Sequence, residues 1–89
     1  MDERTSEILK AIAHPVRIKI IKQLYDGPIC VCNLNKNIDY SQANISKHLK
    51  ILKNARIVES TKEGMYQYYK LTNSKVMEII YLAEEIVCN

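Results

Sequence analysis

Glycine and proline are scarce in this 89-residue chain, with two of each, and that scarcity argues against a disordered tail or a Gly/Pro-rich linker. Long apolar runs are missing as well. None approaches the roughly 18 residues of a membrane span, and the opening Met1-Asp2-Glu3-Arg4-Thr5-Ser6-Glu7 lacks the basic-then-apolar layout of a signal peptide. The expectation is a cytoplasmic protein with no membrane partner. There is no Gly-rich phosphate loop, no HExxH and no CxxC. A chain this short buries only roughly 60 to 65% of its unfolded surface, which leaves little room for a catalytic cleft. A Cys–His pair built from His14, His48 and the cysteines is the enzymatic alternative, but neither an enzyme nor a small-molecule substrate is expected. Three cysteines cannot all close into a disulfide framework, and in a reducing compartment they read as metal ligands or redox groups.

What is present is 47% hydrophobic and 26% charged residues, with a net charge of +3 that is unevenly spread. Residues 41–75 carry Lys47, Lys50, Lys53, Arg56, Lys62, Lys70 and Lys75 against Glu59 and Glu63 alone, whereas residues 76–89 carry Glu78, Glu84 and Glu85 and no base. A basic middle between acidic ends suits a polyanion partner for the middle. A winged helix serving only protein contacts is the rival reading, and it leaves that basic segment without a purpose.

No repeat or linker divides the chain, so residues 1–89 read as a single domain. Ser6 is a candidate cap for a first helix with Ile8, Leu9 and Ile12 as a narrow stripe. His14-Pro15 interrupts it. Proline suits the first turn, so a second helix is expected from Pro15 to about Tyr25, with Ile18, Ile21 and Leu24 inward, Val16 and Ile20 flanking, and Asp26-Gly27-Pro28 as its stop. A short third helix from about Cys30 to Lys36 points Leu34 and Ile38 inward. Ser41 then caps a fourth helix to about Asn54, whose Ile45, Leu49 and Leu52 fall at i, i+4 and i+7. Two short helices joined by a tight turn make a helix-turn-helix. The β-prone runs Ile57–Lys62 and Tyr66–Leu71 flank Gly64, which suits a hairpin turn, and form its wing. A last helix over 74–87 carries Val76, Ile79, Ile80, Ala83, Ile86 and Val87, more apolar surface than so small a core can absorb. The predicted class is mainly α with a small β-hairpin, a winged helix-turn-helix in the order ααααββα.

Four strings in this order resemble one family: Ala11-Ile12-Ala13-His14-Pro15-Val16-Arg17, Ile29-Cys30-Val31-Cys32-Asn33-Leu34, Ser41-Gln42-Ala43-Asn44-Ile45-Ser46-Lys47-His48-Leu49-Lys50-Ile51-Leu52, and Tyr68-Tyr69-Lys70-Leu71. From about Ile8 to its end the chain is similar to the ArsR/SmtB winged helix-turn-helix repressors. The resemblance implies a homodimer paired through its first and last helices, binding a palindromic double-stranded operator and released by an effector. Two positions depart from the pattern. Arg56 stands where many members have glycine, and the wing tip Glu63-Gly64-Met65 lacks an arginine common there.

For DNA, lysines supply phosphate neutralisation and hydrogen-bonding side chains supply base readout. Ser41, Gln42, Asn44, Ser46, Lys47 and His48 are the candidates on the fourth helix, with Gln42 suited to adenine; the resemblance strengthens Ser41, Gln42, Ser46 and His48. Lys53, Lys62 and Tyr66 are candidate backbone contacts. A symmetric dimer sets half-sites roughly 34 Å apart.

Cys30 and Cys32 on a regular helix would diverge by about 200°, so a shared ion would require the first turn to distort. Such distortion would move the recognition helix. The Cys-Val-Cys string resembles the family site for arsenite, antimonite, cadmium or lead, which implies As(III)/Sb(III) or a soft divalent metal as effector and no obligatory cofactor. Some relatives place a further cysteine where Asn35 stands, and Cys88 is the one remaining thiol for a three-sulfur site. The family's other site, on the last helices, uses histidines that this helix lacks. Oxidation or persulfide chemistry linking Cys30 or Cys32 to Cys88, without metal, is the alternative.

Overall fold

The structure is a computed structural model and describes residues 1–88, apart from the side chain of Asn35. Its elements run α1 (Asp2–Ile12), α2 (Pro15–Leu24), β1 (Ile29–Cys30), α3 (Val31–Asn37), α4 (Gln42–Asn54), β2 (Val58–Glu63), β3 (Tyr66–Leu71) and α5 (Lys75–Cys88). The expected order therefore gains one strand. β1 is only two residues long and pairs antiparallel with β3, Ile29 opposite Tyr69 and Cys30 opposite Tyr68, so the sheet order is β1-β3-β2. No periodicity marks a two-residue strand. Only its pairing with β3 defines it.

Helix starts follow local chemistry. At α2 the His14 backbone is extended and its Nδ1 accepts a hydrogen bond from the Val16 N–H at 3.1 Å, with Pro15 at the first helical position. At α4 the Ser41 Oγ accepts from the Asn44 N–H at 3.2 Å, as expected of a serine N-cap. Ser6 caps nothing. α1 begins five residues earlier, from Met1 with no side-chain cap, because Asp2 and Glu3 already place negative charge in its first turn. α4 closes in a Schellman motif: Arg56 N–H bonds to Lys53 O and Ile57 N–H to Leu52 O, with Arg56 at φ 62°. Arginine thus occupies the left-handed position that glycine takes without penalty. The wing turns at Gly64, φ 60°, and Glu63 pairs with Tyr66 across a two-residue loop. A positive φ at its first residue and a negative one at Met65 match a type II′ hairpin.

One core gathers Ile12 of α1, Val16, Ile20, Ile21 and Leu24 of α2, Leu34 and Ile38 around α3, Ile45, Leu49 and Leu52 of α4, Ile57 and Val58, and Val76, Met77 and Ile80 of α5. The α4 stripe is buried as predicted. In α2 the inward face is rotated: Val16 and Ile20 are buried while Ile18 is half-buried, because α2 packs against both α4 and α5. Leu9, expected inward, is exposed, and so are Leu82, Ile86 and Val87 of α5. Among the described residues no helix is long and apolar enough to cross a membrane.

Candidate nucleic-acid interface and thiol pair

α4 turns by about 100° per residue, which sorts its polar side chains by flank around the buried Ile45–Leu49–Leu52 ridge. Gln42, Ser46 and Lys53 fall on one flank; Asn44, His48 and Ile51 fall on the other; Ala43, Lys47 and Lys50 project between them. Ser41, Gln42, Asn44, Ser46 and Lys47 are all exposed, so the N-terminal half of α4 offers amide, hydroxyl and ammonium groups to solvent. Ser41 also spends its hydroxyl on the cap, and a base contact from it must share that oxygen.

Lys53, at the far end of α4, donates from Nζ to Ser60 Oγ on β2 at 2.9 Å and so ties helix to wing. Lys62 is exposed on β2, and Tyr66 stands exposed beside the wing tip. Lys70 pairs with Glu59 at 3.1 Å across the strands, which leaves less free positive charge on the wing than residue counting suggests.

His48 is placed differently from the other candidates. Its ring lies against that of His14, centroids 4.4 Å apart at 44°, and its Nδ1 is enclosed without a hydrogen-bond partner. Burial, then the charges of His14, Arg17 and Lys47, hold His48 below the ordinary imidazole value. Sequence reading did not join His14, Arg17 and His48. The signal available was the helical angle, since Ser46 and His48 lie about 200° apart on α4.

The thiols differ from expectation in a specific way. Cys30 is not in a helix: it is the extended N-cap of α3, φ −66° and ψ 140°, and belongs to β1. Extended backbone at Cys30 followed by helix at Val31 brings the two sulfurs together, Sγ to Sγ at 2.7 Å, with no unwinding. Cys30 is buried and Cys32 exposed. A hydrogen bond from the Cys32 thiol, with backbone N–H groups of Cys32 and Asn33, lowers Cys30 below an ordinary thiol against the opposing effect of burial. Donating that bond, together with burial and the charge of Cys30, raises Cys32, while Lys36 opposes. Within the pair Cys30 is thus the more acidic thiol and Cys32 the less acidic one.

Cys88 lies apart, beside Tyr81, Glu84 and Glu85 on α5. Among the described residues no third His, Cys, Asp or Glu joins Cys30 and Cys32 in a group able to hold a metal. The Cys30–Cys32 donors fit two positions of a thiolate site, and the described residues do not supply the rest.

A bacterial regulatory protein model, the arsR family, matches residues 14–60, from the cap of α2 through α4 into β2. The chain belongs to the ArsR family. It is 41% identical over 85 residues to an uncharacterized HTH-type transcriptional regulator of Methanocaldococcus jannaschii, covering 94% of this chain and 96% of that one. To the arsenical resistance operon repressor of Bacillus subtilis it is 35% identical over 96 residues, covering 99% and 90%. The homodimeric winged helix-turn-helix DNA-binding domain of a possible ArsR-family regulator from Mycobacterium bovis superposes with a TM-score of 0.83 at 25% identity, covering 96% and 79%. These relatives are transcriptional regulators, so this ArsR-family chain is a regulator with a winged helix-turn-helix and not an enzyme.

Proposed function

We propose that this protein is a homodimeric repressor that reads a palindromic operator with α4 and releases it when a soft metal or metalloid, arsenite, antimonite, cadmium or lead, binds the Cys30–Cys32 thiolates. The observation that carries the reading is the convergence of the two sulfurs at the N-terminus of α3, the first helix of the helix-turn-helix. Gln42, Asn44, Ser46 and Lys47 form the exposed reading surface, with Ser41 and His48 at its margins; Lys53, Lys62 and Tyr66 line the approach of the backbone.

Cys30 and Cys32 would hold such an ion through their sulfurs, giving up the present thiol–thiol hydrogen bond. The consequence runs through this chain's own contacts. Cys30 is paired through β1 to Tyr68 on β3, and Cys32 lies in the first turn of α3, which packs on α4. Respacing the sulfurs therefore strains wing and recognition helix together. A third donor, if required, is Cys88 of a second copy or an exogenous thiol.

The dimer reading rests on apolar surface. Leu82, Ile86 and Val87 of α5 and Leu9 of α1 are exposed, and an apolar groove is lined by Ile12, Ile18, Ile79, Ile80, Ala83 and Val87. A contiguous face of this kind marks a protein interface.

Gel shifts with the DNA upstream of the protein's own gene, under reducing conditions and with each ion titrated in parallel with thiolate absorbance, test the proposal. Release with stoichiometric binding, lost in Cys30→Ser and Cys32→Ser, is expected. Stoichiometric binding that leaves the operator complex intact rejects the sensing reading.

A second reading keeps the repressor and replaces the ion by an oxidant. The adjacent Cys30 and Cys32 thiols are what a two-electron oxidant such as peroxide converts to a disulfide, the pair giving up two protons and two electrons and the peroxide leaving as water. Release by peroxide in metal-free buffer, reversed by dithiothreitol, supports this alternative.

A further inference from the structure

Three side chains meet between the start of α2 and the flank of α4 that faces away from Gln42 and Ser46. The His14 ring lies against that of His48 with centroids 4.4 Å apart and planes tilted by 44°, and Arg17 lies in the first turn of α2. Arg17 Nε and His48 Nδ1 are both enclosed with no hydrogen-bond partner. His14 Nδ1 accepts the Val16 N–H, so the cap requires that nitrogen to be unprotonated. We infer that His48 is a positioning residue for DNA recognition, docking α4 onto the N-terminus of α2 only while both imidazoles are neutral, rather than a contact to the DNA.

The argument is electrostatic and geometric. Protonating His48 puts a second N–H donor into an enclosed corner that already holds the unpartnered Arg17 Nε donor. It also sets a cation beside Arg17 and Lys47, the charged groups that face it from α2 and α4. From α1, Glu7 and Lys10 line the adjoining groove with Arg17; they are of opposite sign, and Glu7 is already paired with Arg4. The charges that act on His48, those of His14, Arg17 and Lys47, all oppose a further proton there. His48 takes up a proton less readily here than an ordinary histidine does, so acidification favours the undocked or unfolded helix, which protonates first. The contribution is complete above about pH 6.5 and declines as the pH falls through that value.

The sign separates this role from direct contact. A histidine against phosphate gains charge on acidification and strengthens binding; a docking histidine weakens it. This inference rests on α4 being the DNA reader. Operator affinity of the wild type at fixed ionic strength is expected to fall on the order of tenfold between pH 7.5 and 5.5, whereas His48→Phe, which keeps a ring against His14, is expected to lose that pH slope. His14→Asn retains a side-chain cap and removes the imidazole, and is expected to weaken operator binding although residue 14 lies outside α4. Binding by the wild type that is unchanged or stronger at pH 5.5, or a His14→Asn protein indistinguishable from wild type, overturns the inference. Should no operator complex form at pH 7.5, the DNA reading itself fails. The docking is then judged by NMR titration of the free protein: amides of 16–18 and 42–48 shifting together with His48 protonation support it, and shifts confined to α4 overturn it.

Discussion

Arg56 carries a positive φ, and among the described residues it is the one non-glycine that does. The Schellman closure of α4 demands that conformation, and its carbonyl is held by a 2.6 Å hydrogen bond from Thr72 Oγ1. Its side chain is exposed and takes no part in the closure. Arg56→Gly is therefore expected to stabilise the fold by about 1 kcal/mol, since an L residue in this region costs roughly 1–2 kcal/mol and glycine recovers most of it; a denaturation midpoint unchanged or lowered contradicts this. The sequence showed that arginine stood where glycine is usual. It did not show whether the turn changed or the residue bore the strain, because that depends on Leu52, Ile57 and Thr72 meeting around it.

At the scale of elements, α4 was the most legible. Its apolar spacing and Ser41 cap are local properties, and both appear as expected. Ser41→Ala is expected to cost about 1 kcal/mol of stability, read as a lower unfolding midpoint; no loss would mean that the cap bond contributes nothing in solution. Gln42→Ala, on the exposed flank, is expected to abolish discrimination between operator and random DNA while leaving most salt-dependent non-specific affinity. Equal loss of both would remove Gln42 from base reading. β1 and the thiol pair were illegible for a common reason. Cys30 reads as helical from its neighbours, but its pairing with Tyr68 pulls the backbone into an extended conformation, and that alone turns two diverging sulfurs into a converging pair.

For the whole molecule, the governing feature is apolar surface left on α1 and α5 after the core is filled. Ile86 is 78% and Val87 83% exposed, too far out for the protomer's own core to reach. Ile86→Glu is expected to shift the protein to monomer in sedimentation or light scattering, and to weaken operator binding by far more than one half-site's loss of a single contact would. A dimer of unchanged affinity would place the interface elsewhere. Lys22, which pairs with Glu84, ties α2 to α5 beside that surface.

By itself the sequence determined the helix periods, the break at His14-Pro15, the Ser41 cap, the Gly64 hairpin and the family, since each rests on residues close together along the chain. The tertiary structure alone decided that Cys30 leaves the helix, that His48 turns toward His14 and Arg17, and that Arg56 keeps a glycine conformation. Those outcomes depend on contacts between distant segments, where a strand pairing or a packed ring outweighs local preference.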